Sequence, residues 1–114
     1  MGGDHAPDAV LKGCLLAREL LAADDQLVLI GPEKVIREYL ADYSVDDPRF
    51  VLHNCSQVIE MHEHPVEAVR SKPDSSIVHM AKLGSVRTDP AQRCDAVLSA
   101  GSTGACVSAG TMYM

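Results

Sequence analysis

The segment SAGSTGA, residues 99–105, is the part of the sequence best suited to bind an anion. Its two glycines let the backbone approach a ligand closely, and its hydroxyl groups can donate hydrogen bonds to phosphate oxygens. The segment follows an apolar run and precedes a helical pattern, so the unpaired N–H groups of a helix N-terminus would point at the same ligand. These features predict a phosphate-binding turn formed by Ser99, Gly101, Ser102, Thr103 and Gly104.

Phosphate binding is not the only explanation of this segment. It is not a Walker A loop, because no GKS or GKT follows, and it is not a GxGxxG dinucleotide motif. Small residues at such a place also permit tight packing between a strand and the following helix. The sequence alone leaves these two explanations open.

A second glycine-rich turn, GGDHAP, occupies residues 2–7 and leads directly into a helical pattern. Gly2 and Gly3 allow close backbone approach or a positive φ, and Asp4 stands next to them at the start of the helix. An anion would also fit here. A plain tight turn in which Asp4 caps the helix explains the same residues, and spacing alone favours this simpler explanation.

The third candidate segment is HPVEAVRSKPDSS, residues 64–76. Arg70 and Lys72 stand just before a Ser pair that could cap the next helix, and cations beside a helix N-terminus suit an anion. We take Arg70 and Ser76 as candidate phosphate contacts. An ordinary solvated turn is the commoner explanation of such a segment.

Nothing in the sequence pairs a nucleophile with a base. The serines lack a GxSxG elbow, and no histidine can be matched to them by spacing, so a hydrolase is not expected. The four cysteines and five histidines follow no common zinc spacing, and we predict neither a metal site nor a cofactor. Any catalysis would therefore depend on the positioning and charge stabilisation of phosphate.

Alternating helices and strands must position these turns. Apolar residues recur at helical spacing in several segments, and short apolar runs bounded by turn residues are typical of strands. The predicted helices are residues 8–23, 32–43, 65–71, 75–87 and 103–114, and the predicted strands are residues 27–31, 49–54 and 95–101. The alternation predicts a single three-layer, Rossmann-like α/β domain with a mainly parallel sheet over residues 1–114. We expect it to be incomplete, because no strand precedes the first glycine-rich turn and the last helix stops without an end signal.

The composition limits the partners of this chain. It has 114 residues, 46% of them hydrophobic, and a net charge of −6. Its acidic and basic residues are interspersed, so no basic stripe exists for nucleic acid, and no apolar run approaches the roughly 20 residues of a spanning helix. With no secretory signal and no CxxC pair, the reduced cytoplasm is the expected location.

Taken in order, the motifs resemble the N-terminal half of the PlsX family of phosphate:acyl-ACP acyltransferases. Members of that family begin with a strand running into DAMGGD, carry PxxAxR before a Ser pair, and show SAGNTGA after a later strand. The chain departs from the family pattern at Ser102, where Asn is usual. The matching positions are Gly2, Gly3, Asp4, Pro65, Ala68, Arg70, Ser75, Ser76, Ser99, Ala100, Gly101, Thr103, Gly104 and Ala105.

The resemblance implies an enzyme that transfers a fatty acyl group from acyl carrier protein to inorganic phosphate, giving acyl phosphate for phospholipid synthesis. It also implies a homodimer for the full-length enzyme, peripheral membrane association, and an architecture similar to isopropylmalate dehydrogenases and phosphotransacetylases. On this basis the two glycine-rich turns are expected to meet at the carboxyl edge of a parallel sheet, where such folds bind ligands.

Two other functions stay open. A phosphotransacetylase-like enzyme would use coenzyme A in place of the carrier protein, and an inactive phosphate-binding remnant or binding module would need no catalysis. A nucleotide-dependent dehydrogenase is disfavoured, because the chain lacks a dinucleotide fingerprint.

Overall fold

A computed structural model describes residues 5–114 of the chain. Within that range it contains five α-helices, one short 3₁₀ helix and two parallel strands. The first half alternates helix and strand, and the second half is helical. In chain order the elements are α1 (Asp8–Ala17), a 3₁₀ helix (Arg18–Leu20), β1 (Leu27–Gly31), α2 (Glu33–Asp42), β2 (Phe50–Asn54), α3 (Pro65–Ser71), α4 (Ser76–Leu83) and α5 (Thr103–Tyr113).

The two strands predicted in the first half are confirmed as β1 and β2. They pair in parallel, with Leu27 opposite Phe50 at one end and Gly31 opposite Asn54 at the other. Helix α2 connects them, as a parallel pair requires. Asn54 also closes the carboxyl edge of this sheet, since its Oδ1 accepts a hydrogen bond from the backbone N of Glu33, 2.9 Å away, at the start of α2.

Helices contact both faces of this small sheet. Side chains alternate along a strand, and those that begin at Leu27 and Phe50 pack with α1 and α2. The opposite face carries His53, whose ring contacts His79 of α4. The core on the α1 and α2 face consists of large side chains: Leu11, Leu29, Ile36, Leu40 and Phe50.

The second core lies among α3, α4 and α5 and is built differently. Its buried members are mostly alanine and β-branched residues, which allow helices to approach closely. They are Ile59, Ala68, Val69, Ile77, Val78, Ala81, Ala105 and Ala109. Four of these eight are alanines, so the fit depends on short side chains.

The prediction of a strand at residues 95–101 is wrong. The segment forms no strand, and Leu98 is 96% exposed. An apolar run becomes a strand only when a neighbouring strand supplies hydrogen bonds, and within residues 5–114 β1 and β2 pair only with each other.

Two helices are shorter than predicted. The helix expected at residues 8–23 is α-helical only over Asp8–Ala17 and continues as a 3₁₀ turn. The helix expected at residues 75–87 ends at Leu83, where Gly84 takes the C-cap position. The helices predicted at residues 32–43, 65–71 and 103–114 are confirmed within one or two residues.

Candidate functional site

The start of α5 and the loop before it carry five of the ten predicted phosphate contacts, namely Ser99, Gly101, Ser102, Thr103 and Gly104. Ser102 is the N-cap residue, and its Oγ accepts a hydrogen bond from the backbone N of Ala105 over 3.4 Å. Ser99 Oγ accepts from the backbone N of Gly101 over 3.1 Å, which folds the loop onto itself. The backbone N–H groups of Thr103 and Gly104 have no carbonyl partner within the helix. They and the exposed Thr103 hydroxyl are therefore available to an anion.

Gly104 also has a packing role. A Cβ placed on Gly104 would lie 2.6 Å from Cγ of Pro65 and 3.2 Å from its Cβ. The first turn of α5 thus lies directly against the first residue of α3, and a side chain here would push the two helices apart. The packing explanation of the small residues is correct at this position, and it is compatible with an anion at the free N–H groups.

The N-terminus of α4 contains the Ser pair. Ser75 is buried and caps α4, because its Oγ accepts from the backbone N of Val78 over 3.4 Å. The predicted capping by this pair is confirmed for Ser75. Ser76 is the first helical residue and is only partly buried, so its hydroxyl is the more accessible of the two.

Helices α4 and α5 are neighbours in the fold. They pack against each other along the second core, and their C-terminal ends meet where Lys82 Nζ lies 5.1 Å from the centroid of the Tyr113 ring. Each helix has the positive end of its dipole at its own N-terminus, which is at Ser76 for α4 and at the segment from Ser102 to Gly104 for α5.

The two cations of the third segment have different surroundings. Arg70 is exposed in the last turn of α3, and no carboxylate in residues 5–114 forms an ion pair with it. Lys72 is engaged, since its Nζ donates to the backbone O of Val58 and to Oε2 of Glu63, each 2.8 Å away. That hydrogen bond from Lys72 lowers the pKa of the Glu63 carboxyl. Arg70 is thus the cation that remains for a ligand, and Lys72 serves the fold.

The first glycine-rich turn cannot be placed. Gly2, Gly3 and Asp4 lie outside the described residues. The expected meeting of two glycine-rich turns at one sheet edge is also not observed, because residues 95–101 form no strand for the second turn to follow.

The sequence analysis missed a chain of polar contacts at the carboxyl end of β2. His53 Nε2 lies 3.0 Å from His79 Nδ1, and His79 Nε2 lies 2.6 Å from Asp74 Oδ1. Asp74 Oδ2 accepts hydrogen bonds from both the backbone N and the hydroxyl of Ser56. These bonds, with that of Ser56 contributing most, lower the pKa of Asp74 to about 2.

One of these polar contacts joins residues that are close in the sequence. Asp74 stands just before α4, and His79 lies in its first turn. The partner His53 comes from a separate strand, and only the fold brings it to His79.

Other sites receive little support from the described residues. Nowhere in residues 5–114 do three His, Cys, Asp or Glu side chains converge as a metal ion requires. A groove of about 320 Å³ lies between α1 and α2, lined by Asp8, Ala9, Lys12, Tyr39, Asp42 and Tyr43. It includes none of the predicted site residues. No helix in the described range is long and apolar enough to cross a bilayer.

The fold and the site together define an α/β protein with helix N-termini and a free arginine suited to an anion. Comparison with known families then places the chain. The family described as "Fatty acid synthesis protein" matches residues 1–114. The chain belongs to this family, the PlsX family that its motifs resemble.

Curated relatives agree with this family. A phosphate acyltransferase of Clostridium perfringens (strain ATCC 13124) and one of Dictyoglomus turgidum are each 40% identical to the chain over 114 residues. The match covers 100% of this chain and 32% of each relative. A phosphate acyltransferase of Desulfitobacterium hafniense (strain Y51) is 44% identical over 105 residues, which are 92% of this chain and 29% of that protein. The chain thus spans about a third of the length of these relatives.

Proposed function

We propose that this chain contributes the phosphate-binding part of a phosphate acyltransferase, which transfers a fatty acyl group from acyl carrier protein to inorganic phosphate. The observation that carries the proposal is a family match over all 114 residues in which the SAGSTGA segment forms the N-terminus of α5. The acyl phosphate formed would serve phospholipid synthesis in the cytoplasm.

The reaction needs no strong base. A phosphate oxygen attacks the thioester carbonyl carbon, a C–O bond forms, and the C–S bond breaks with the thiolate leaving and taking up a proton from solvent. Phosphate is already an anion at neutral pH, so the protein mainly has to align it and stabilise the developing negative charge. Helix N-termini provide fixed N–H donors for both tasks without reorganising during the reaction.

Each proposed contact has a definite part in this scheme. The backbone of Gly101 and Gly104, with the hydroxyls of Ser99, Ser102 and Thr103, would surround the phosphate at α5. Ser76 would contribute a further contact from the start of α4. Arg70 supports the same assignment as an exposed guanidinium, which favours bidentate contact with phosphate oxygens. Gly2, Gly3 and Asp4 would complete the site.

We test the phosphate assignment with Thr103→Val in the protein at its natural length. Valine keeps the shape of threonine and removes the hydroxyl, so we expect kcat/KM for phosphate to fall roughly tenfold while KM for the acyl donor changes little. Thr111→Val is the matched control, because its Oγ1 donates to the backbone O of Val107, 2.9 Å away, in the same helix but beyond the first turn.

The outcomes separate the site from the reaction. If Thr103→Val shows the same phosphate dependence as the unmodified protein, phosphate does not bind at the start of α5. Failure of the unmodified protein to make acyl phosphate from either thioester would contradict the reaction itself. Offering acyl carrier protein and coenzyme A thioesters side by side distinguishes the phosphotransacetylase-like alternative.

The wider architecture is part of the same proposal. The parallel β1–β2 pair with helices on both faces supports a larger three-layer, Rossmann-like domain, of which residues 1–114 form one part. The homodimer and peripheral membrane association implied by the family resemblance would involve the full-length enzyme.

A further inference from the structure

We propose that His53, His79 and Asp74 form a proton-operated clasp between the carboxyl end of β2 and the first turn of α4. The clasp is closed when both histidine rings are neutral or when one of them is positively charged. It opens when both rings are charged. This inference requires no ligand and does not depend on the proposed acyltransferase function.

The geometry sets the order of the bonds. Asp74 can only accept while it is ionised, so His79 Nε2 donates to Asp74 Oδ1 across 2.6 Å. The other nitrogen of His79, Nδ1, faces His53 Nε2 across 3.0 Å. In the neutral pair His79 Nδ1 therefore accepts a hydrogen bond from His53 Nε2–H.

One added proton preserves every bond. If it is placed on His79, Nδ1–H donates to His53 Nε2, which then accepts, and the bond to Asp74 becomes charge-assisted. If it is placed on His53, the direction of the neutral state is kept. Asp74 supplies a compensating negative charge in either arrangement.

A second proton cannot be accommodated in this way. Both nitrogens of the 3.0 Å contact would then carry hydrogens, so neither could accept, and two cationic rings would stand with centroids 4.8 Å apart. Like charges at this distance repel. The His53–His79 contact must therefore break when both rings are charged.

The surroundings of His53 oppose its protonation. The pKa of His53 is lowered from its usual value of 6.5, first by burial and then by the charge of His79, while the charge of Asp74 opposes the shift. The buried Cys55 thiol is also near Asp74, and its pKa is raised by burial and then by the carboxylate. Cys55 thus stays neutral at acid pH.

The rest of the attachment does not depend on protons. The backbone O of Asp74 accepts from the backbone N of Ser56 and Gln57, 3.2 and 3.1 Å away, and the Gln57 side chain accepts from the Asp74 backbone N over 2.9 Å. Opening should therefore loosen α4 against the sheet without unfolding the chain. Since Ser76 begins α4, the clasp also steadies one proposed phosphate contact, a consequence that does rest on the proposed function.

The first test measures C2–H exchange of individual histidines by mass spectrometry over a pH series, in the protein at its natural length. We expect the His53 midpoint to lie below 6.5. His79→Gln should raise that midpoint by about one pH unit, and Asp74→Asn should lower it by about one unit, because each removes one neighbouring charge. His62→Gln, at an exposed histidine outside the clasp, is the control and should leave it unchanged.

If the His53 midpoint is the same in His79→Gln as in the unmodified protein, burial alone lowers that midpoint. The proposed clasp would then be contradicted. The second test needs no variant: once amide deuterium uptake is corrected for the slower intrinsic exchange at lower pH, uptake of peptides covering α4 should rise at least about twofold below the His53 midpoint, whereas uptake in α2 should not. Uptake in α4 that stays constant while both histidines become charged would equally overturn the proposal. Neither test uses phosphate or a thioester, so its failure is distinct from failure of the proposed function.

Discussion

The two cores of this chain differ in the size of the side chains that fill them. Between α1, α2 and the sheet, large residues such as Leu29, Ile36 and Phe50 fill the space. Among α3, α4 and α5, half of the buried members are alanines, including Ala81 and Ala109, both fully buried. A helix standing on a sheet leaves room for long aliphatic chains, whereas helices packed at small separation do not.

This difference predicts opposite sensitivities. The first core should be damaged most by removing atoms, because a cavity would remain between the helices and the rigid strands. The second should be damaged most by adding atoms, because its helices are already in contact through alanine. Three pairs of substitutions can break or sharpen this contrast.

Ile36→Ala should have the largest effect. Ile36 is 1% exposed at the centre of the first core, so its truncation should lower the free energy of unfolding by about 2–5 kcal/mol. Val35→Ala, at the neighbouring position of α2 that is 36% exposed, should cost far less. Urea denaturation followed by circular dichroism measures both, and similar losses at the two positions would show that α2 is not anchored through Ile36.

Ala109→Leu should be the next most harmful change. Ala109 is fully buried in α5, and the added atoms have no space, so we expect a loss of about 1–3 kcal/mol. Val107→Leu, at a position of the same helix that is 64% exposed, should be nearly neutral. If Ala109→Leu left the unfolding midpoint unchanged, the second core would contain room that the short side chains do not reveal.

The smallest effects should come from the two glycines of α5, and their signs should differ. Gly104→Ala meets Pro65, so it should destabilise by about 1 kcal/mol despite the better helix propensity of alanine. Gly110→Ala meets nothing within 4 Å and should stabilise by up to about 1 kcal/mol. Thermal unfolding of the two variants measures both effects. Equal shifts in Tm would contradict the close approach of α5 to α3.

The contrast also explains where prediction from sequence succeeded. In the first half, periodic apolar residues and the breaks at Gly31 and Pro32 predicted β1, α2 and β2 almost to their ends. Each pattern there coincides with a core that accepts large side chains. In the second half the apolar run at residues 95–101 has the composition of a strand, but it finds no partner in residues 5–114 and stays exposed at Leu98.

The site was predicted in part for the same reason. Capping residues act locally, so the Ser pair before α4 could be recognised as a helix start from sequence alone, and Ser75 is its N-cap. Ser102 was predicted as a phosphate contact, and its role as the N-cap of α5 came from the structure. The availability of Arg70 and the engagement of Lys72 with Glu63 depend on which side chains the fold brings near them. The spacing of these two cations in the chain does not distinguish them.

The sequence by itself determined the helix starts, the parallel strand pair and the family, because capping, periodicity and ordered motifs are carried by neighbouring residues. Tertiary structure decided the rest. It left the segment at residues 95–101 without a sheet, pressed Gly104 against Pro65, and joined His53 to His79 across 26 positions of the chain. Contacts between distant residues depend on how whole elements pack, and no local pattern records that arrangement.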